Sequence, residues 1–174
     1  DSDQKMAKED RYLVDGWGEL ALRYGHQYWG IGGYRDSYPQ VITSKYPITY
    51  ISKIVGDESD VIVSHGAGWA TIEVNGKTIN IVTLHTWPQA YAYKAEDRNA
   101  SRAENGGDKY RAREIQYICE NTIGSVDNAS EQLWMMMGDF NSRSRLDNDQ
   151  YGYAEDDTRL LVHNYVLDNT PYID

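Results

Sequence analysis

The stretch "AGWATIEVNGKTINIVTLH", residues 67 to 85, constrains the chain most. Asn75-Gly76 lies between two alternating runs. A two-residue hairpin loop needs positive φ at both positions, and Asn and Gly tolerate it best. The register follows: Val74 faces Lys77, Ile72 faces Ile79, and Ala70 faces Ile81. A slip of one residue would move every side chain to the wrong face. Ala70, Ile72, Ile79 and Ile81 then share one face. The opposite face starts polar, with Glu73 across from Thr78 and Thr71 across from Asn80. It turns apolar toward His85, with Trp69 opposite Val82 and Ala67 opposite Leu84. Such a hairpin is one-sided near its turn and buried on both faces at its far end.

Around it the pattern alternates between strands and helices. Residues 7 to 24 read as a helix carrying Leu13, Trp17, Leu20, Ala21 and Tyr24 at helical spacing, with Gly25 as the stop. Three short strands follow, in "HQYWGI", "QVITSK" and "ITYISKIV". Residues 86 to 108 form a long connection. "KYRAREIQYICENTI" is an amphipathic helix with Ala112, Ile115, Ile118, Cys119 and Thr122 on one side, ending at Gly124. "QLWMMMG" reads as a buried strand, "SRSRLDNDQYGYAEDD" as a polar loop, and "TRLLVHNYVLDN" as a helix that Asp157 caps. "PYID" looks like the start of another strand. The expected fold class is α/β (α+β) in one domain over residues 1–174.

Composition excludes some classes. The 174 residues carry 27 acidic against 17 basic side chains, a net charge of −10, which disfavours a non-specific polyanion binder. No run of eighteen apolar residues exists to cross a membrane. The charged start, "DSDQKMAKED", reads as a processed or cut end without a leader. The lone Cys119 rules out an intrachain disulfide and reads as a small core residue. Fifteen Tyr and five Trp against one Phe favour half-buried and cleft positions.

Chemistry concentrates in "QLWMMMGDFNSRSR", residues 132 to 145. If the segment stays extended, Asp139 and Asn141 point the same way, Phe140 anchors the opposite side, and Gly138 permits a close approach. A carboxylate can hold a hard cation or orient a water, and an amide can donate to a phosphate oxygen. The competing reading is a turn in which both residues make local backbone bonds. His85 is open to a structural reading as well. His26, His65 and His163 show no metal-pair spacing. Asn99 and Asn128 start glycosylation-like triplets that are expected to be chance.

"NIVTLHTWP", then a loop and helix, then "LWMMMGDFNSR" resembles the endonuclease/exonuclease/phosphatase superfamily, with "PQVITSKYPI" similar to its Ser-Lys-x-Pro-Ile turn. The pancreatic deoxyribonuclease branch carries similar wording. The resemblance implies a four-layer α/β/β/α sandwich of mostly antiparallel and mixed strands with flanking helices. It implies a metal-dependent hydrolase of phosphate esters, a phosphodiesterase, nuclease or phosphatase. Asp139 would orient the attacking water or enter the metal shell, Asn141 would bind phosphate or metal, and His85 would donate to phosphate oxygens. Mg²⁺ or Mn²⁺ would be the cofactor, held by Asp139 and Asn141. Arg143, Trp87 and Tyr91 are the candidate substrate contacts, with Tyr93, Arg98 and Arg102 on the same loop as Tyr91. Substrates run from nucleic acid and phosphoinositides to small phosphate esters, in a secreted or periplasmic setting rather than a cytoplasmic one.

The departures shape the expectation equally. The family's opening strands, with an Asn and a metal-binding Glu, have no counterpart, nor has its late Asp-His pair, and Gln40 stands near where some members place a second Glu. The chain is therefore expected to be a partial sandwich, a central fragment that binds metal weakly and turns over little. It is expected to associate with itself through exposed sheet edges. The alternatives are a non-catalytic aromatic-rich module for carbohydrate or protein, and a catalytically dead scaffold.

Overall fold

The computed structural model describes residues 14–33, 40–57, 61–88 and 104–172. The elements in chain order are α1 (Val14–Arg23), β1 (Tyr28–Ile31), β2 (Val41–Ser44), β3 (Ile48–Gly56), β4 (Ile62–Val74) and β5 (Lys77–His85). Then come α2 (Asp108–Glu120), β6 (Leu133–Asp139), the single-turn α3 (Asn148–Tyr151) and α4 (Leu161–Asn169). Strands β1 and β2 form an antiparallel pair, and the larger sheet has the order β3-β4-β5-β6. Its first two pairings are antiparallel, and β5 with β6 is parallel. A parallel neighbour demands a crossover, which the segment carrying α2 supplies.

The hairpin register is the expected one, from Val74–Lys77 at the turn to Ala67–Leu84 at the far end. Asn75 takes φ 51° and Gly76 φ 75°, as the two-residue loop requires. The far end is buried on both faces: every residue from 61 to 68 is buried, as are Ile81, Val82 and Leu84. β4 begins at Ile62, five residues before the hairpin pattern becomes readable at Ala67.

Helices α2 and α4 cover one face of the large sheet. Ile115, Ile118 and Cys119 of α2 and Val162 and Val166 of α4 pack on Val63, Ala67, Val82 and Leu84. The small sheet lies against the other face, where Gly32 abuts the Gly68 backbone so closely that a side chain at either position would collide. α1 backs the small sheet, with Gly18 under the Trp29 ring. The layers therefore run α1, β1–β2, β3–β6, then α2 with α4: the expected α/β/β/α sandwich.

Several local expectations change. The first helix is described only from Val14, so its expected opening lies outside the described residues, as does the end of "PYID". α2 stops at Glu120 rather than Gly124, because Asn121 leaves the helical conformation and a 3₁₀ turn follows at Ile123–Ser125. Its buried side is partly polar, with Asp108, Arg111 and Glu114 beside the apolar residues. The expected polar loop contains α3, held between two short turns. Asp157 does cap the turn leading into α4, accepting the Arg159 N–H.

The largest correction concerns β6. It reads as a buried strand, yet Leu133, Met135 and Met137 are 52%, 50% and 41% exposed. β6 is the edge of the sheet among the described residues, and only its Trp134 and Met136 side packs on the helix-covered core. A continuous apolar run signals burial on both faces, but burial depends on what neighbours arrive.

Candidate functional site

The sheet brings three sequence-predicted residues to one end. β5 and β6 run parallel and in register, so Leu84 pairs with Gly138 and His85 with Asp139. Gly138 is required here. It takes φ 144°, and a Cβ would strike the Leu84 carbonyl. Beyond the strands the ladder continues into the site. The Thr86 N–H donates to the Asp139 carbonyl at 3.0 Å, and the buried Thr86 hydroxyl donates to the Phe140 carbonyl at 2.6 Å.

The segment after Asp139 does not stay extended. Asn141 adopts φ 47°, in the left-handed region that Asn tolerates better than most residues. Its N–H donates to Asp139 Oδ1 at 2.9 Å, and its Nδ2 donates to the Thr86 carbonyl at 3.2 Å. The turn reading is therefore what the backbone does. The same turn still clusters the groups, because it ties the amide of Asn141 to the residue following His85. His85 Nε2 stands 3.7 Å from Asp139 Oδ2, inside ion-pair range and too long for a hydrogen bond. The Asp139 side chain is 61% exposed and that of His85 22%, so a ligand can reach the carboxylate. Phe140 packs on the core and lies 5.0 Å from the His163 ring.

Two contributors escaped the sequence reading. His65 on β4 is buried, and its ring lies 4.2 Å from that of His85, tilted by 40°. The hairpin register does not find it: extrapolated past Ala67 it sets Gly66 across from His85 and turns His65 to the opposite face, whereas the ladder stops at Ala67–Leu84 and Gly66 takes φ 89°. Glu114 is wholly buried on α2. Its carboxylate accepts the Ser64 N–H at 2.7 Å and the Trp87 N–H at 2.8 Å, clamping together the strands that carry His65 and His85. Arg111, equally buried, donates to the Trp87 carbonyl at 2.9 Å and pairs with Asp108.

The candidate substrate contacts separate. Trp87 is 4% exposed, held through its backbone by Glu114 and Arg111, with its ring edge-on to Tyr110 at 6.2 Å. It is a core residue and not a surface contact, because the clamp draws the chain inward right after Thr86. Arg143 is exposed, two residues past Asn141. Tyr91, Tyr93, Arg98 and Arg102 lie outside the described residues. His26 bonds Thr43 at 2.7 Å, away from this cluster.

Among the described residues no group of three or more His, Cys, Asp or Glu side chains is placed to hold a metal ion. The donor set that exists, the Asp139 carboxylate with the Asn141 amide oxygen, consists of hard oxygens. That fits Mg²⁺, which keeps several waters and often takes only one or two protein carboxylates plus substrate phosphate.

No family model and no curated protein matches the sequence. Solved structures do match. SmcL superposes with a TM-score of 0.52 at 19% identity, over 81% of this chain and 49% of SmcL. Sphingomyelinase C from Streptomyces griseocarneus gives 0.51 at 16% identity, over 75% and 48% of the two chains. A β-hairpin deletion mutant of beta toxin from Staphylococcus aureus gives 0.53 at 17% identity, over 79% and 54%. The chain spans about half the length of each of these three. Together with the layer order, these matches show that the chain shares the deoxyribonuclease-I-like α/β sandwich fold of these structures.

Proposed function

We propose that this chain is part of a metal-dependent hydrolase of phosphate esters, residues 1–174 forming one incomplete domain of that fold. The observation that carries the reading is the in-register pairing of His85 with Asp139 across parallel strands, 3.7 Å apart at their tips. Asp139 Oδ1 is occupied by the Asn141 N–H, so Oδ2, the oxygen facing His85, is the one that orients the attacking water. His85 Nε2 donates to a phosphate oxygen as charge builds on phosphorus. Asp139 and Asn141 would hold Mg²⁺ or Mn²⁺, which would supply polarisation of the phosphoryl group. Tyr91 remains a candidate substrate contact. The sphingomyelinase match adds sphingomyelin to the candidate substrates.

The test is hydrolysis of bis(p-nitrophenyl) phosphate by the chain, with and without Mg²⁺. A slow, Mg²⁺-dependent rate is expected, falling about 100-fold in His85→Ala and in Asp139→Asn. If the chain alone does not turn over, titration with inorganic phosphate decides: the His85 imidazole ¹⁵N resonances should move in the wild type and stay still in Asp139→Asn with Mg²⁺ present. Resonances that ignore phosphate in the absence of any turnover would remove the reading. The aromatic-module alternative rests on the row formed by Tyr50, Trp69 and Trp134, with ring centres 5.2 and 5.3 Å apart. The polar focus at Asp139 weighs against it, since a carbohydrate platform has no use for that cluster.

A further inference from the structure

Just past Asn141 the chain builds a stack of four flat groups. The Arg143 guanidinium lies 5.1 Å from the centre of the Tyr151 ring. Tyr151 and Tyr153 stack at 5.4 Å with planes 11° apart, and the Arg159 guanidinium sits 3.7 Å from the Tyr153 ring. The stack follows from local chemistry. Asn148 acts as a clasp: its Oδ1 accepts the Tyr153 N–H at 3.0 Å and its Nδ2 donates to the Tyr153 carbonyl at 2.9 Å. Gly152 takes φ 65°, and its N–H donates to the Asn148 carbonyl at 2.7 Å. This tight turn puts the two tyrosines, two positions apart, side by side. The Arg143 N–H and the Ser142 hydroxyl both donate to the Arg159 carbonyl, at 3.2 and 3.1 Å, which ties the two ends of the stack together.

The other stacked cation is already neutralised: Arg159 makes two bonds to Asp157. Arg145 likewise makes two bonds to Asp168, and Arg111 pairs with Asp108. Arg143 has no carboxylate partner among the described residues. In a chain of net charge −10, an exposed guanidinium held on a ring, two residues past Asn141 in the chain, stands out as a positive centre available to a ligand. The tyrosine rings are engaged by each other and by guanidinium groups, so they make a poor platform for a flat ligand.

We propose that Arg143, held on Tyr151, receives a second anionic group of the substrate. The preferred substrate is then a small phosphate ester bearing a second phosphate, rather than a headgroup without extra negative charge. The acidic surface argues for this short reach over a long polyanion. The inference rests on the reading of Asp139, Asn141 and His85 as the phosphate site.

Two probes that differ by one phosphate test it: thymidine 3′,5′-bisphosphate and thymidine 5′-monophosphate, titrated calorimetrically into the chain with Mg²⁺. The wild type should prefer the bisphosphate by about tenfold. Arg143→Gln should abolish the preference. Tyr151→Leu should lower it part of the way, and Arg143→Lys should keep only a fraction, because an ammonium neither stacks flat nor forks. Equal affinities in the wild type, or a preference that survives Arg143→Gln, would overturn the inference while leaving the phosphate site standing. Binding of neither probe would overturn both.

Discussion

Replacing Glu114 by alanine removes one carboxylate and strands two backbone donors. The Ser64 and Trp87 N–H groups each lose a short, charge-assisted bond, of 2.7 and 2.8 Å, at a point where Glu114 is 0% and Trp87 4% exposed. An unsatisfied buried donor costs about 1–3 kcal/mol, so the two together cost about 2–6 kcal/mol. The cavity left by the side chain adds to that. Arg111 keeps Asp108 and the Trp87 carbonyl, so no uncompensated charge is created on its side. The expected loss is about 4 kcal/mol, a large share of the roughly 5–15 kcal/mol that holds a typical domain together. Urea unfolding followed by tryptophan fluorescence measures it, and the midpoint should fall with little change in slope. Glu114→Gln should cost about half as much, because one oxygen is retained while the new NH₂ faces a donor. Because Ser64 adjoins His65 and Trp87 lies two residues past His85, the ring contact between the two histidines should loosen in both variants, visible in the His85 imidazole ¹⁵N shifts. A loss below about 1 kcal/mol for Glu114→Ala would refute the clamp, since it would mean that water reaches both amides.

Gly138→Ala should destabilise the chain by several kcal/mol, of the order of about 3 kcal/mol for a forced backbone shift, and should displace Asp139 from His85; thermal unfolding and the His85 shifts report both. Burial pushes the Cys119 thiol up to about 12, so labelling by a thiol reagent at pH 8 should be slow in the folded chain and fast in urea, and rapid labelling under native conditions would place the thiol at the surface. The Arg159 hydrogen bond lowers the Asp157 carboxyl from 3.8 to about 2, and Arg145 lowers that of Asp168. A carboxyl depressed by folding contributes stability above its unfolded value and loses it as pH falls through the folded one. The Asp157 pair should therefore hold down to about pH 4 and be lost between about pH 4 and 2, and the Asp168 pair should be lost as pH falls through its own lowered value, with a carboxyl ¹³C titration of Asp157 as the check.

How far the molecule is legible in its amino acids depends on how local the deciding interactions are. The hairpin register is set by Asn75-Gly76 and the alternation beside it, and the observed pairing follows it residue by residue. Asp157 as a cap needs only neighbours a few positions away, and Cys119 and Phe140 reveal by local pattern that they point inward, although the core they join is built from distant segments. The Gly-Asp-Phe-Asn segment declared its polar character, but its two readings proved to be one object: a turn at Asn141 that also brings its amide to the end of β5.

Sequence alone determined the hairpin and most of the elements, because turn chemistry and side-chain periodicity act over short distances, while Asp139, Asn141 and His85 are singled out together only through the resemblance to a known family. Only the tertiary structure decided that Leu133, Met135 and Met137 stay in contact with solvent, that Trp87 goes inside, that His65 meets His85, that Glu114 clamps the strands behind them, and that Arg143 lies on the Tyr151 ring. These outcomes depend on which segments meet across 20 to 50 residues of chain, as Glu114 meets Ser64, and no window of sequence contains both partners.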